Sequence, residues 1–484
     1  VMVHPAILDW PEEAADEQPL ALWDAESIAA ATGGTVRGEF QVSGVEIDSR
    51  EVGEGDLFVA LKGAEMDGHR FVAGAFERGA AGALVSQPVD GPHVLVEDTQ
   101  AALEALGAAA RARADMKVVG ITGSVGKTST KEALFAALDR ASRGAAHASV
   151  KSYNNHTGVP LSLSRTPARS AFGVFEMGMN HAGEIAALTR QVRPDVAIVT
   201  AIAPAHIENL GSEESIARAK AEIFQGLAPG GIAIIPADSP HCRTLFAMAE
   251  ADGAKVVTFG LDEKADIKLL ERVIMRDGGS LLTVQVHERR LCFSIGNPGR
   301  HWISNALAVI AACDALGTDL GAAGLALAEL EGLPGRGARH TIAVNDGEAL
   351  LIDESYNANP ASMRAALAQL GETEATRRIA VLGAMKELGE HSDRFHAELA
   401  DPLFEANVDR AILVGPEMHA LAERLGKERS DSLGKTVQFT HCETASAARA
   451  ALDEIDLAKS DAVLVKGSNS VGLAALVAGL TGGD

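Results

Sequence analysis

The 484-residue chain is 47% hydrophobic but only 4% aromatic, and 43 Lys and Arg residues stand against 66 Asp and Glu, a formal charge of -23. That length exceeds one compact core, so two or three domains are expected, and the glycine-rich, apolar mixture argues against a disordered chain. So negative a surface excludes partners held by broad attraction to phosphate, nucleic acid and acidic membranes among them, while a local basic site can still take an anionic substrate.

The first 19 residues read as a loose acidic lead carrying Pro5, Pro11 and Pro19. They contain neither a basic segment nor an apolar leader core, and no uninterrupted apolar stretch approaches the roughly 20 residues that span a bilayer. A cytoplasmic protein without stable membrane insertion is expected. Cys242, Cys292, Cys313 and Cys442 lie far apart with no CxxC pair, as reduced structural cysteines do.

From 20 to 113, strands are expected at 44–47, 57–61, 83–85 and 93–96, with helices at 71–78 and 99–113. This is a small α/β domain. A second domain, 114–331, alternates more regularly: strands at 117–122, 172–176, 196–200 and 231–236, helices at 127–139, 213–227 and 303–316, and a peripheral hairpin at 281–286 and 291–295. Such alternation argues for a mostly parallel sheet covered by helices. The glycine-rich segment 332–337 marks the next boundary. Beyond it, strands at 349–353, 378–382, 410–414 and 462–465, with helices at 361–370, 391–399 and 471–480, form a third α/β domain, 332–484.

Gly120-Ile121-Thr122-Gly123-Ser124-Val125-Gly126-Lys127-Thr128 matches GxxxxGK[ST] between a strand and a helix, the context a phosphate-binding loop requires. Gly123, Ser124 and Gly126 let the backbone turn around phosphate oxygens. Lys127 can neutralise β- and γ-phosphate charge, and Thr128 can ligate Mg²⁺. Glu176 and His206 follow strands, where ligands collect in doubly wound sheets, yet either is equally readable as a polar loop residue. Lys220, within Ala217-Arg218-Ala219-Lys220, reads on its own as a solvated helix lysine.

Ordered motifs along nearly the whole chain resemble the ATP-dependent Mur ligases of peptidoglycan precursor synthesis. They are Asp48-Ser49-Arg50, the DGHRF run from Asp67 to Phe71, the phosphate loop, and Asn154-Asn155-His156-Thr157-Gly158. Glu176-Met177-Gly178, Ala205-His206-Ile207-Glu208 and Lys220-Ala221-Glu222 follow, then His301 to Asn305 and Gly335-Arg336. Asp353-Glu354-Ser355-Tyr356-Asn357-Ala358-Asn359-Pro360 is the most discriminating segment, and Lys466-Gly467-Ser468 closes the run. That segment is similar to the member adding D-Ala-D-Ala; the diaminopimelate-adding relatives carry a YAHTP-like stretch there and a DNPR signature absent from this chain.

The resemblance implies a three-domain α/β architecture: a UDP-sugar-binding domain, a central P-loop domain with a mostly parallel sheet, and a C-terminal Rossmann-like domain binding the amine. It implies ATP and Mg²⁺ as cofactors, with UDP-MurNAc-tripeptide and D-Ala-D-Ala joined through an acyl phosphate. Ser49, Arg50, Asp67, Gly68 and His69 would contact the UDP-sugar, and Asn154, Asn155 and Thr157 would line the central cleft. Asn305, Arg336 and Asp353 would contact ATP, while Tyr356, Asn357 and Asn359 would form the C-terminal part of the site. Lys127, Glu176, His206 and Lys220 are the implied catalytic set. Thr128, Glu176, His206 and a carbamylated Lys220 are the implied Mg²⁺ ligands. Ala201, Ala203, Trp302 and Asn469 depart from the family pattern. An amino-acid-adding relative and a P-loop regulatory protein are the competing readings, and the oligomeric state is left open, a monomer included.

Overall fold

The computed structural model describes residues 21–63, 66–205, 207–275, 278–427 and 436–482. They form a three-domain α/β architecture whose contacts divide into two compact units. The first unit joins the described residues through Arg113 to the segment Leu163–Ala168. Its five-stranded sheet runs in the order Thr35–Arg37, His93–Leu95, Gly82–Val85, Asp56–Val59, Gly44–Glu46, parallel except for the first pair. Phe58, Val72, Ala75, Ala83 and Val85 fill its core. The later segment is tied in by polar bonds: the Trp23 indole donates to the Ser164 carbonyl at 2.8 Å, and Arg165 reaches the Val45 carbonyl at 2.6 Å and the Glu46 carboxylate at 2.5 Å.

The second unit holds two sheets. In the nine-stranded one, Lys117–Thr122 lies between Phe172–Glu176 and Val196–Val199. Ala146–Ala148 extends one side; Ile232–Pro236 and Lys255–Gly260 extend the other, all parallel. Strands buried in this way read as continuous apolar runs, here Val118-Val119-Gly120-Ile121. Helices Lys127–Ser142, Arg300–Ala315 and Leu320–Glu329 pack together with the sheet through Leu134, Leu138, Leu307, Ile310 and Leu327, against Val119, Ile121, Ile198 and Ile234.

The expected hairpin exists as Ser280–Val286 with Arg289–Ile295, but Ile267–Ile274 joins it in a three-stranded antiparallel meander. That third strand does not alternate in sequence because its register shifts between Leu269 and Glu271. The helix expected over 213–227 runs only as Glu213–Ala221 and tightens to a 3₁₀ turn at Glu222–Gly226. Gly226 there packs so close to Thr189 that a Cβ would lie 2.3 Å from the Thr189 carbonyl oxygen.

The six-stranded C-terminal sheet starts with the antiparallel pair Ala338–Val344 and Gly347–Glu354. Ala462–Lys466, Arg378–Gly383, Arg410–Val414 and Gln438–Cys442 follow in parallel. Helix Pro360–Glu372 starts at an Asn359 cap and touches the central helix Arg300–Ala315, so the two sheets share one unit. No helix among the described residues is long and apolar enough to cross a membrane.

Candidate active site

The chain order reverses at Lys117–Thr122, since its two neighbours come from later, opposite excursions. That reversal opens a crevice at the C-terminal ends of the strands. The phosphate loop sits there with φ of 152° at Gly123 and 84° at Gly126. A Cβ at Gly123 would lie 2.0 Å from Thr200 Oγ1, and one at Gly126 2.7 Å from Asn305 Oδ1. Only glycine fits either place. The Ser124 hydroxyl donates to the Ala203 carbonyl at 2.9 Å and accepts the Ala203 N–H at 3.1 Å, while the Ser124 N–H donates to the Ala201 carbonyl at 2.8 Å. The two departing alanines thus brace the loop through their backbone, where side-chain identity matters little.

A cavity of about 440 Å³ opens before this loop. Lys127 Nζ donates to the Gly123 carbonyl at 2.8 Å. Burial, and then the Arg336 cation, pull its pKa down against the opposing pull of Glu176. The Thr128 hydroxyl donates to Glu176 Oε2 at 2.7 Å, and Asn154 Nδ2 donates to Glu176 Oε1 at 2.7 Å. Ser152 Oγ stands 3.3 Å from Thr128 Oγ1 and accepts from Arg336 Nη2 at 3.1 Å. Thr128 and Glu176 therefore present hard oxygen donors side by side, a donor set that suits Mg²⁺.

Lys220 is 1% exposed, and its ammonium has no hydrogen-bond or ion-pair partner among the described residues. Its pKa falls well below the ordinary lysine value, chiefly through burial and then through the Lys127 cation, with Glu176, Glu184 and Glu222 opposing. The solvated-lysine reading is overturned: tertiary packing buries this face of the helix. Glu222 itself accepts the Gly183 N–H at 2.7 Å and the Ala186 N–H at 3.2 Å. His206 lies outside the described residues, among which no group of three His, Cys, Asp or Glu side chains forms a metal cluster.

The C-terminal wall divides between residues facing the cavity and residues bracing it. Arg336 stacks on the Tyr356 ring at 4.0 Å, and both line the cavity with Asn305 and Asn357. Asp353 does not line it. One carboxylate oxygen accepts the Gly335 N–H at 2.7 Å, and the other accepts the Ser355 N–H at 3.0 Å and hydroxyl at 2.6 Å. Asn359 lines the cavity, but its Oδ1 accepts the Ser362 N–H at 2.9 Å as a helix cap, and its Nδ2 reaches the Ser124 carbonyl at 3.5 Å. Asn155 lines the cavity while accepting the Thr157 and Gly158 N–H groups at 3.2 and 2.8 Å; Thr157 does not line it.

Ser152, His301, Glu354 and Lys466 also line the cavity, without being singled out as site residues from the sequence. Lys466 Nζ donates to Glu354 Oε2 at 3.2 Å and the Asn357 carbonyl at 3.0 Å. Glu354 and Lys466 end two paired strands, so the strand-end rule that pointed to Glu176 also reaches them. Burial lowers the pKa of His301. Trp302 lines the cavity from within the core, and Asn469 is exposed away from it.

The remaining sequence-derived residues belong to the first unit. Arg50 pairs with Asp48 at 2.6 Å beside half-buried Ser49. Asp67 Oδ1 caps the turn Gly68–Phe71 by accepting the His69 N–H at 3.0 Å, and it lies 2.5 Å from His69 Nδ1. His69 Nε2 accepts the Ser86 N–H at 2.8 Å, which puts the ring proton on Nδ1. A Cβ at Gly68 would lie 2.6 Å from the Leu61 carbonyl oxygen.

A phosphate loop on a doubly wound sheet, facing a second α/β sheet across a cavity with basic walls, defines a P-loop nucleotide-dependent enzyme with a composite site. Residues 41–140 match the Mur ligase family catalytic domain, 121–313 the Mur ligase middle domain, and 339–469 the Mur ligase glutamate ligase domain. The chain is 35% identical to UDP-N-acetylmuramoyl-tripeptide--D-alanyl-D-alanine ligase of Escherichia coli K12, an alignment covering 91% of this chain and 94% of that protein. The crystal structure of MurF from Acinetobacter baumannii superposes with a TM-score of 0.80 at 30% identity, covering 95% and 99% of the two chains. MurF ligase from Thermotoga maritima in complex with ADP gives 0.72 at 27% identity over 90% and 96%. The chain belongs to the Mur ligase family.

Proposed function

We infer that this chain is an ATP-dependent ligase that joins D-Ala-D-Ala to UDP-MurNAc-tripeptide, yielding UDP-MurNAc-pentapeptide. The observation carrying the reading is the pairing of Lys127, Thr128 and Glu176 at the phosphate loop with Arg336, Asn357 and Lys466 across one cavity, in a chain that aligns with its relatives almost end to end.

The peptide's terminal carboxylate attacks the γ-phosphorus of ATP, and ADP leaves. The D-Ala-D-Ala amine then attacks the acyl carbon, loses a proton, and the tetrahedral adduct expels inorganic phosphate. Phosphorylation is needed because direct attack on a carboxylate would have to expel oxide. Lys127 supplies charge: its weakened hold on a proton is reversed once phosphate oxygens stand beside it, and it exchanges the Gly123 carbonyl for them. Arg336 and Lys466 bring further positive charge to a site shielded from water, where it acts strongly. Asn154 and Thr128 fix the Glu176 carboxylate. Bound Mg²⁺, held by Thr128 and Glu176, would offset phosphate charge during transfer.

We assign the UDP-sugar to the loops carrying Ser49, Arg50 and Asp67 to His69, and the amine to Tyr356 and Asn357, with Asn359 supporting them as the cap of the following helix. The domain limits proposed are 20–113, 114–331 and 332–484. The Lys220 carbamate belongs to the same proposal. A buried amine that holds its proton weakly can react with carbon dioxide, releasing a proton and gaining a carboxylate oxygen pair suited to Mg²⁺. With Glu176 and His206 it would complete the metal ligands. Lys220→Ala should abolish most turnover, and the wild type should carry a carbon-13 carbamate signal from labelled bicarbonate. An active variant together with an absent signal rejects the assignment.

The ligase reading is tested by phosphate release from ATP with UDP-MurNAc-tripeptide, comparing D-Ala-D-Ala with single amino acids. Release should depend on D-Ala-D-Ala. Equal release with every amine, or none with any, overturns it.

A further inference from the structure

We propose that Lys131 is a positioning residue that sets the Glu176 side of the cavity through the segment 149–154. Lys131 is 0% exposed and lies one turn beyond Thr128 on helix Lys127–Ser142. Its Nζ donates to the Ser149 carbonyl at 2.8 Å and the Lys151 carbonyl at 2.8 Å, and stands 2.5 Å from Glu132 Oε1. Two carbonyl acceptors and a carboxylate thus surround the ammonium, an arrangement that a buried charge needs. One helix therefore carries the phosphate-loop lysine, the hydroxyl that binds Glu176, and a clamp on a distant loop.

What the clamp holds is strained. Lys151 has φ of 51°, in the left-handed region that residues bearing a Cβ avoid. On either side, the same segment grips the reacting side of the cavity. The Ser149 hydroxyl accepts the Glu176 N–H at 3.1 Å, and Asn154 Nδ2 donates to the Glu176 carboxylate at 2.7 Å. Between them, Ser152 Oγ meets Thr128 and Arg336. Without the ammonium, two carbonyls lose their donor and Lys151 can relax out of its turn. Glu176 then loses its fixed orientation, while Lys127 keeps its place on the loop.

The inference rests on the ligase reading for its turnover measurement, so a second readout without turnover accompanies it. K131M should lower kcat by about tenfold to 100-fold, the size expected of a slightly misplaced reacting group. It should also raise the Mg²⁺ concentration giving half-maximal rate. In titration calorimetry it should weaken ADP binding with Mg²⁺ present and leave binding in EDTA unchanged. Glycine takes the left-handed turn without strain, so K151G alone should stay near wild type, and K131M/K151G should recover part of the loss. Wild-type kcat and Mg²⁺ dependence in folded K131M overturn the proposal, as does a loss that K151G leaves untouched. If K131M does not fold, K131Q, which keeps one donor, carries the same measurements. Wild-type enzyme inactive with every amine would break the ligase reading alone, because the Mg²⁺-dependent ADP titration still decides the role of Lys131.

Discussion

The two walls of the cavity use their sequence motifs in opposite ways. On the phosphate-loop wall, Lys127, Thr128 and Glu176 present charged or polar groups directly to the space before them. On the C-terminal wall, the densest motif, Asp353 to Pro360, commits much of its polarity to its own backbone. Asp353 and Ser355 shape the Gly335 turn, and Asn359 caps a helix. Arg336, Tyr356 and Asn357 are what that scaffold delivers to the cavity. A motif marks a place where the chain is constrained; whether ligand or backbone imposes the constraint emerges only in three dimensions.

Substitutions separate the two uses. Lys127→Ala should have the largest effect, lowering kcat by about 100-fold or more, as losing one preorganised charge donor does. Steady-state ligation at saturating ATP, with folding checked by circular dichroism, measures it; near-wild-type turnover would remove Lys127 from the reacting wall. Asn357→Ala should raise KM for D-Ala-D-Ala by roughly fivefold to 150-fold, matching about 1–3 kcal/mol for an unpaired buried polar group. It should leave the melting temperature and UDP-sugar affinity alone. Asn359→Ala is the smallest change and the sharpest contrast, losing about 1 kcal/mol of stability as a lost helix cap does. Urea unfolding reads that loss. Equal behaviour of the two asparagine variants would erase the distinction between facing and bracing residues.

The phosphate loop was readable because its geometry is local: two glycines at positive φ, three residues apart, between a strand and a helix. Central strands such as Phe172–Glu176 were readable for the same reason, as short apolar runs. Ser152 was not, because its partners Thr128 and Arg336 lie 24 and 184 residues away. Lys131 and Lys220 were hidden by their residue type. A lysine on a helix reads as solvated, and only tertiary packing buries these two. Helix Ala25–Thr32 went unread because its capping box closes with Ser27 instead of the Glu or Gln that advertises such a start. The resemblance to the Mur ligases named Glu176 and Lys220 together; local pattern alone left one open and misread the other.

The central claim is that the cavity activates a carboxylate by phosphorylating it. The direct test labels the terminal carboxylate of UDP-MurNAc-tripeptide with oxygen-18 and follows the label during ligation to D-Ala-D-Ala. Carboxylate attack on ATP leaves one labelled oxygen in the acyl-phosphate bridge, and amide formation expels that oxygen with the phosphate. Mass spectrometry should therefore find one oxygen-18 atom in each inorganic phosphate and one in the new amide. Unlabelled phosphate accompanying pentapeptide product would contradict the account.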